Sequence, residues 1–169
     1  MAMPNIVLAG FMGTGKTTIG QIVADRLGMP FIDLDDAIEA EAGQSIAEIF
    51  ASRGEATFRR LEAQIAGQIA AQSGLVVATG GGTLLNSDTR AAFAGKSLLV
   101  CLTADPGTIL ERVAGDEVRP LAQDREALIT LMGDRAALYA SLPYHVDTTD
   151  RTPEQAAEEV IRIWTQHTA

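Results

Sequence analysis

The sequence predicts an α/β fold in which a five-stranded parallel sheet carries helices on both faces. Two observations carry the prediction. Short apolar runs alternate with helix-patterned segments along the chain, as strands joined by helical crossovers require. The first of those runs also leads straight into Gly-rich GFMGTGKT at 10–17 and then into a helical segment. At 169 residues the chain is about one domain, so a single unit over 1–169 is expected, large enough to bury a core.

The elements follow in order. NIVLAG (5–10) reads as the first strand and TTIGQIVADRLG (17–28) as the first helix, closed by Gly28. PFIDLD (30–35) is the second strand. A helical insert follows over about 36–73, comprising DAIEAEAG, SIAEIFASRG and a long helix that begins in GEATFRRLE. Ser45 with Glu48 has the spacing of a capping box, while Ile46, Ile49 and Phe50, and then Phe58, Leu61 and Ile65, recur at helical intervals. LVVATGGG (75–82), SLLVCLT (97–103) and HVDTT (145–149) are the remaining strands, and SDTRAAFAG, PGTILERVAG and PEQAAEEVIRIWTQH the helices after them. Asp105-Pro106 and Thr152-Pro153 each put a cap residue before a proline at the first helical position. GDEVRPLAQD is polar and aperiodic, and is expected to form a lid over about 115–125.

GFMGTGKT satisfies G-x-x-x-x-G-K-[ST], the P-loop pattern, in the strand-to-helix context that gives it meaning. Gly10, Gly13 and Gly15 let the backbone turn so that successive N–H groups converge on one anion. The start of the helix adds its dipole, Lys16 reaches toward β- and γ-phosphates, and the Thr17 hydroxyl is placed to ligate Mg²⁺. The loop residues Gly13, Thr14, Gly15, Lys16, Thr17 and Thr18 are thus the expected phosphate-binding set.

Composition narrows the partner. A formal net charge of -9 opposes nonspecific attraction to nucleic acid or to an anionic membrane surface, and no apolar run is long enough to span a bilayer. MAMPNIVLAG lacks a basic leader and reads as a strand, so a cytoplasmic protein is expected. Lys16 and Lys96 are the only lysines, leaving arginine, the residue suited to bidentate contacts, as the main cation. That balance fits a small anionic substrate. Cys101, the single cysteine, is expected to be a buried strand thiol, and the two histidines have no metal-ligand spacing.

Other candidates lie at strand ends, where open α/β sheets bind ligands. Asp33 and Asp35, two apart, would share one side of an extended chain and could hold Mg²⁺ through water or orient a hydroxyl. Arg59 and Arg60 lie on the insert helix near Glu62, where a solvated helix pair is the ordinary outcome for one of them. Gly80, Gly81 and Gly82 could expose backbone N–H groups to a ligand or form a plain turn. Arg119 lies in the expected lid and Arg135 on a helix.

In that order GFMGTGKT, DLD, GEATFRR, GGG, RPL and R-x-x-LY resemble the shikimate kinase family over essentially the whole chain. The resemblance implies a three-layer α/β/α P-loop kinase fold and ATP-dependent phosphorylation of the 3-hydroxyl of shikimate, with ATP and Mg²⁺. It implies that Lys16 stabilises the transferring phosphoryl group, Thr17 ligates Mg²⁺ and Asp33 supports the metal through water. Asp35 would bind the substrate hydroxyls and act as base or orienter, Arg59 and Arg135 would clamp the carboxylate, and Gly81 and Gly82 would offer backbone contacts. Arg119 would arrive with the lid and Arg112 would lie against adenine. A monomer is expected, with no nucleic-acid or membrane partner.

Other readings compete, the nearest being another small-molecule P-loop kinase. A gluconate kinase would leave GGG and GEATFRR unexplained, and a noncatalytic nucleotide sensor would keep the fold without turnover. A GTP switch would need N-K-x-D, and neither Asn5 nor Asn86 precedes a lysine.

Overall fold

Every residue of β1 (Asn5–Ala9) is buried, and alternate side chains enter different cores. Ile6 and Leu8 pack on one side of the sheet, Val7 and Ala9 on the other, as expected of a strand covered on both faces. The computed structural model describes residues 2–114 and 124–169. In it β1 pairs in parallel with β3 (Val76–Ala78) and β4 (Ser97–Thr103). The edges are β2 (Phe31–Asp33) beside β3 and β5 (Tyr144–Asp147) beside β4, giving the order β2-β3-β1-β4-β5. The predicted five-stranded parallel sheet is present.

One face is covered by α1 (Lys16–Leu27) and α8 (Pro153–Thr168), whose Ile19, Val23, Val160 and Trp164 share one apolar cluster with Leu98, Val100 and Leu102 of β4. The opposite face carries the insert helices α2 (Leu34–Ala42), α3 (Ile46–Arg53) and α4 (Glu55–Ala70), with α5 (Ser87–Ala94) beyond them. Between the carboxyl end of β4 and the P-loop, α6 (Pro106–Val113) and α7 (Arg125–Ser141) close a third, smaller core around Phe11, Ile109, Val113 and Leu128. Because all five strands run the same way, the loops after them gather along one edge.

Local signals behave mostly as read. The Ser45–Glu48 capping box is formed in both directions and Gly28 ends α1 in the left-handed conformation. Thr152 caps α8, reciprocated by Gln155. Asp105 departs from expectation: its side chain makes no cap bond, while its N–H donates to the Thr149 hydroxyl at 2.9 Å. Pro106 has already removed one of the donors that a cap would satisfy. Phe50 also departs, being 39% exposed and packed at 4.8 Å against Phe58, because the short α3 buries only the face bearing Ile49. The expected lid, including Arg119, lies outside the described residues apart from Asp124 and Arg125.

Asn5 fastens the sheet to the insert. Fully buried, its amide donates to the Gln72 carbonyl at 2.9 Å and its carbonyl accepts from the Leu75 N–H at 2.9 Å, tying β1 to the turn that leads from α4 into β3. Truncation to Asn5→Ala strands both backbone groups, so a loss of about 3 kcal/mol is expected, read as a lower urea midpoint at unchanged slope.

Candidate active site

The phosphate loop is built by backbone strain that only glycine relieves. Gly10, Gly13 and Gly15 have φ of 136°, 78° and 95°. A β-carbon on Gly10 would stand 2.3 Å from the Leu102 carbonyl oxygen, so the loop presses directly onto β4. Thr14 is buried and its hydroxyl donates to the Phe11 carbonyl at 2.8 Å. Its side chain holds the turn. The Lys16 ammonium lies across the loop, donating to the carbonyls of Gly10 at 2.7 Å and Phe11 at 2.9 Å.

Asp33 joins three elements. One carboxylate oxygen accepts from the Thr17 hydroxyl at 2.7 Å, and the other accepts from the N–H groups of Asp35 and Asp36, capping α2. This corrects the extended reading of DLD. β2 stops at Asp33 and Leu34 already begins α2, so Asp35 is a first-turn helical residue and not a second strand residue on the same side. The cap is the physical reason, since an aspartate that satisfies the first free N–H groups starts a helix there. Asp35 still reaches the site: one of its oxygens lies 3.0 Å from where a β-carbon on Gly80 would be. Asp36 is exposed, and its carboxyl is pushed up first by partial burial and then by the charges of Asp33 and Glu39.

The glycine turn after β3 exists for close approach. None of Gly80, Gly81 and Gly82 has positive φ. A β-carbon on Gly81 would meet Nη1 of Arg135 at 2.8 Å, and one on Gly82 would meet Nη1 of Arg59 at 2.8 Å. Two guanidiniums from different helices therefore lie against bare backbone. Among the described residues, neither the Gly81 nor the Gly82 N–H donates to a protein acceptor.

The two arginines differ in charge balance. Arg59 donates to Glu62 at 2.7 Å, and Glu62, only 4% exposed, accepts from the Thr83 hydroxyl with its other oxygen. This is not the solvated helix pair that i, i+3 spacing suggests; the partner carboxylate is inside. Arg135 is itself buried, lies 5.7 Å over the Phe11 ring, and has an Nε with no hydrogen-bond partner. No carboxylate of the described residues is within ion-pair distance of it. Of the two, Arg135 is the one without a carboxylate partner among the described residues.

On the other side of the P-loop a cleft of about 230 Å³ is lined by Gly13, Gly15, Thr18, Arg112, Arg151 and Pro153. Arg112 is held there by the Gly13 carbonyl and by both oxygens of Thr148 at 2.8 to 3.0 Å. A larger cavity of about 440 Å³ lies between β4 and α7, but its walls, among them Cys101, Ile109 and Met132, are almost wholly apolar. Burial pushes the Cys101 thiol up to about 11, so the residue stays protonated at neutral pH and is a wall, not a nucleophile.

The family model for shikimate kinase matches residues 12–165. This chain belongs to the shikimate kinase family. It is 42% identical over 165 residues to a shikimate kinase of Caldanaerobacter subterraneus subsp. tengcongensis, covering 96% of each chain. A shikimate kinase of Pelotomaculum thermopropionicum is 40% identical over 168 residues, with 98% of each chain covered. Among solved structures, the shikimate kinase from Acinetobacter baumannii in complex with shikimate superposes with a TM-score of 0.92 at 32% identity, over 98% of this chain and 94% of that one. The fold is accordingly that of the P-loop kinases of this family. A gluconokinase from Sinorhizobium meliloti shares the fold alone, with a TM-score of 0.65 at 18% identity.

Tertiary structure thus gathers the P-loop residues with Asp33 and Arg112, and Asp35, Arg59 and Arg135 around the glycine turn. Glu62, Thr83, Tyr139 and Thr148 were missed as site residues. The i, i+3 spacing of Glu62 from Arg59 and the place of Tyr139 in R-x-x-LY gave a signal, but neither pattern tells of burial or of partners distant in sequence.

Asp33 supplies a split test of its cap. Asp33→Asn keeps a cap acceptor and should melt within about 2 °C of the parent, whereas Asp33→Ala should lose about 1 kcal/mol, measured by thermal and urea unfolding.

Proposed function

We propose that this chain uses ATP and Mg²⁺ to phosphorylate the 3-hydroxyl of shikimate, giving shikimate 3-phosphate and ADP. The observation that carries the reading is the convergence of Arg59 and Arg135 on the Gly81–Gly82 backbone, with Asp35 beside Gly80. A carboxylate with neighbouring hydroxyls matches that set: planar cations and free N–H groups for the acid, and an acceptor carboxylate for a hydroxyl. Gluconate carries the same groups, but only the fold is shared with the gluconokinase.

The residues divide the work. Arg59, Arg135, Gly81 and Gly82 bind the carboxylate, and Asp35 orients the 3-hydroxyl and accepts its proton as the oxygen attacks the γ-phosphorus. The bond to the bridging oxygen breaks and the electron pair leaves with ADP. Backbone N–H groups of Gly13, Thr14, Gly15 and Thr18 cradle phosphate, and Lys16 leaves the Gly10 and Phe11 carbonyls to neutralise charge developing on the transferring group. Arg112 borders the adenine, and Arg119 closes over the phosphates from outside the described residues.

The Thr17 hydroxyl, with the Asp33 carboxylate 2.7 Å behind it, is a donor set that fits Mg²⁺. Among the described residues no three acidic, histidine or cysteine side chains cluster, in keeping with an ion that takes its other ligands from phosphate and water. Mg²⁺ when bound neutralises phosphate charge. We read residues 1–169 as one kinase domain with a substrate-binding insert at about 36–73 and a lid at about 115–125, acting as a cytoplasmic monomer. No helix of the described residues is long and apolar enough to cross a membrane, and the net charge of -9 opposes a nucleic-acid partner.

ADP release measured with shikimate, with gluconate and with no acceptor tests the assignment. Shikimate-dependent turnover is expected; turnover only with gluconate, or equal rates with and without acceptor, would overturn it. Lys16→Ala should lower kcat by about 100- to 1,000-fold with a native circular dichroism spectrum.

Arg135 carries a stability signature of its role. A guanidinium buried with no carboxylate partner among the described residues carries a desolvation penalty that its contacts with Phe11 and Tyr139 offset only in part. Arg135→Met should therefore raise the melting temperature by about 2 to 4 °C while raising the shikimate KM at least about tenfold, with little change for ATP. A variant both less stable and unaltered toward shikimate would refute the clamp.

A further inference from the structure

The tyrosine of the R-x-x-LY segment has no part in the chemistry above, yet it touches the substrate side of the site. Tyr139 lies one helical turn beyond Arg135 on α7, on the same helix face. Its hydroxyl donates to the Gly81 carbonyl at 2.5 Å, across 58 residues of sequence. The peptide that carries this carbonyl also carries the Gly82 N–H, and a planar trans peptide points the two in opposite directions. Whatever holds the Gly81 oxygen therefore aims the Gly82 N–H.

The tyrosine is itself held. Its backbone carbonyl accepts from the Leu142 N–H at 3.2 Å and is 2.8 Å from Nε2 of His145 on the edge strand β5. Its ring packs against both the insert-side core and the small core around Phe11. Main chain and ring are thus both fixed before the hydroxyl reaches the glycine turn.

We infer that Tyr139 is a positioning residue for substrate: it sets the orientation of the Gly81–Gly82 peptide so that the Gly82 N–H is presented to the acceptor's carboxylate, in step with Arg135 on the same helix. Burial raises the phenol above its usual range, although the Arg135 guanidinium pulls the other way, so the donor stays protonated through the pH range of assay. The inference rests on the reading of the glycine turn as the carboxylate site.

Tyr139→Phe keeps the ring and removes the one donor. The expected result is a five- to tenfold rise in the shikimate KM, with the ATP KM changed less than about twofold and a melting temperature within about 2 °C of the parent. A role confined to packing would not move KM for one substrate alone. Independently of activity, the amide resonances of Gly81 and Gly82 should shift in the ligand-free variant. Unchanged glycine amides, or equal losses for both substrates, would overturn the positioning role. If the parent enzyme fails to phosphorylate shikimate, the assignment of the substrate falls; if the parent works and Tyr139→Phe matches it, only the role of Tyr139 falls.

Discussion

Parallel pairing of β1 between β3 and β4 is the constraint from which the site follows. It forces the chain to cross back after every strand, so each carboxyl end delivers its next residues to the same edge. The P-loop leaves β1, Asp33 ends β2, the glycine turn leaves β3 and Thr148 follows β5. Pieces separated by more than a hundred residues become neighbours because five strands point one way. The same pairing explains why both faces of β1 and β4 are apolar, for each must be covered by helices.

Close backbone approach recurs at that edge. Gly10 lets the phosphate loop lie on the Leu102 carbonyl, and Gly81 and Gly82 let two guanidiniums lie on main chain. The glycines do different work in the two places. In the loop they supply positive φ, with room as well at Gly10; in the turn they supply room alone. A substitution in the loop strains backbone and, at Gly10, also meets the Leu102 carbonyl, whereas one at Gly81 or Gly82 collides with Arg135 or Arg59.

Charge at the substrate side is divided unevenly. Glu62 offsets Arg59 and is anchored by Thr83, which stiffens that side of the glycine turn. Arg135 is buried with no carboxylate of the described residues to offset it, which leaves an attraction for an anion at the expense of stability. Tyr139, a turn along α7, links that helix to the peptide on which the anion would rest.

The alternation of apolar runs and helical segments determined the α/β class, and GFMGTGKT determined the anion loop, because both depend on residues close in sequence. The Ser45–Glu48 and Thr152–Gln155 caps were legible or nearly so for the same reason. Boundaries were less so: DLD reads as extended, but the Asp33 cap ends β2 and turns Asp35 into a helix. Arg59 and Arg135 were visible as arginines, with their convergence implied only by family resemblance. Whether Glu62 is solvated or buried, which of the two arginines has no carboxylate partner among the described residues, and that Tyr139 reaches Gly81 were decided by tertiary structure alone. Each depends on what another helix or strand places within a few ångströms, and short-range pattern carries no information about such neighbours.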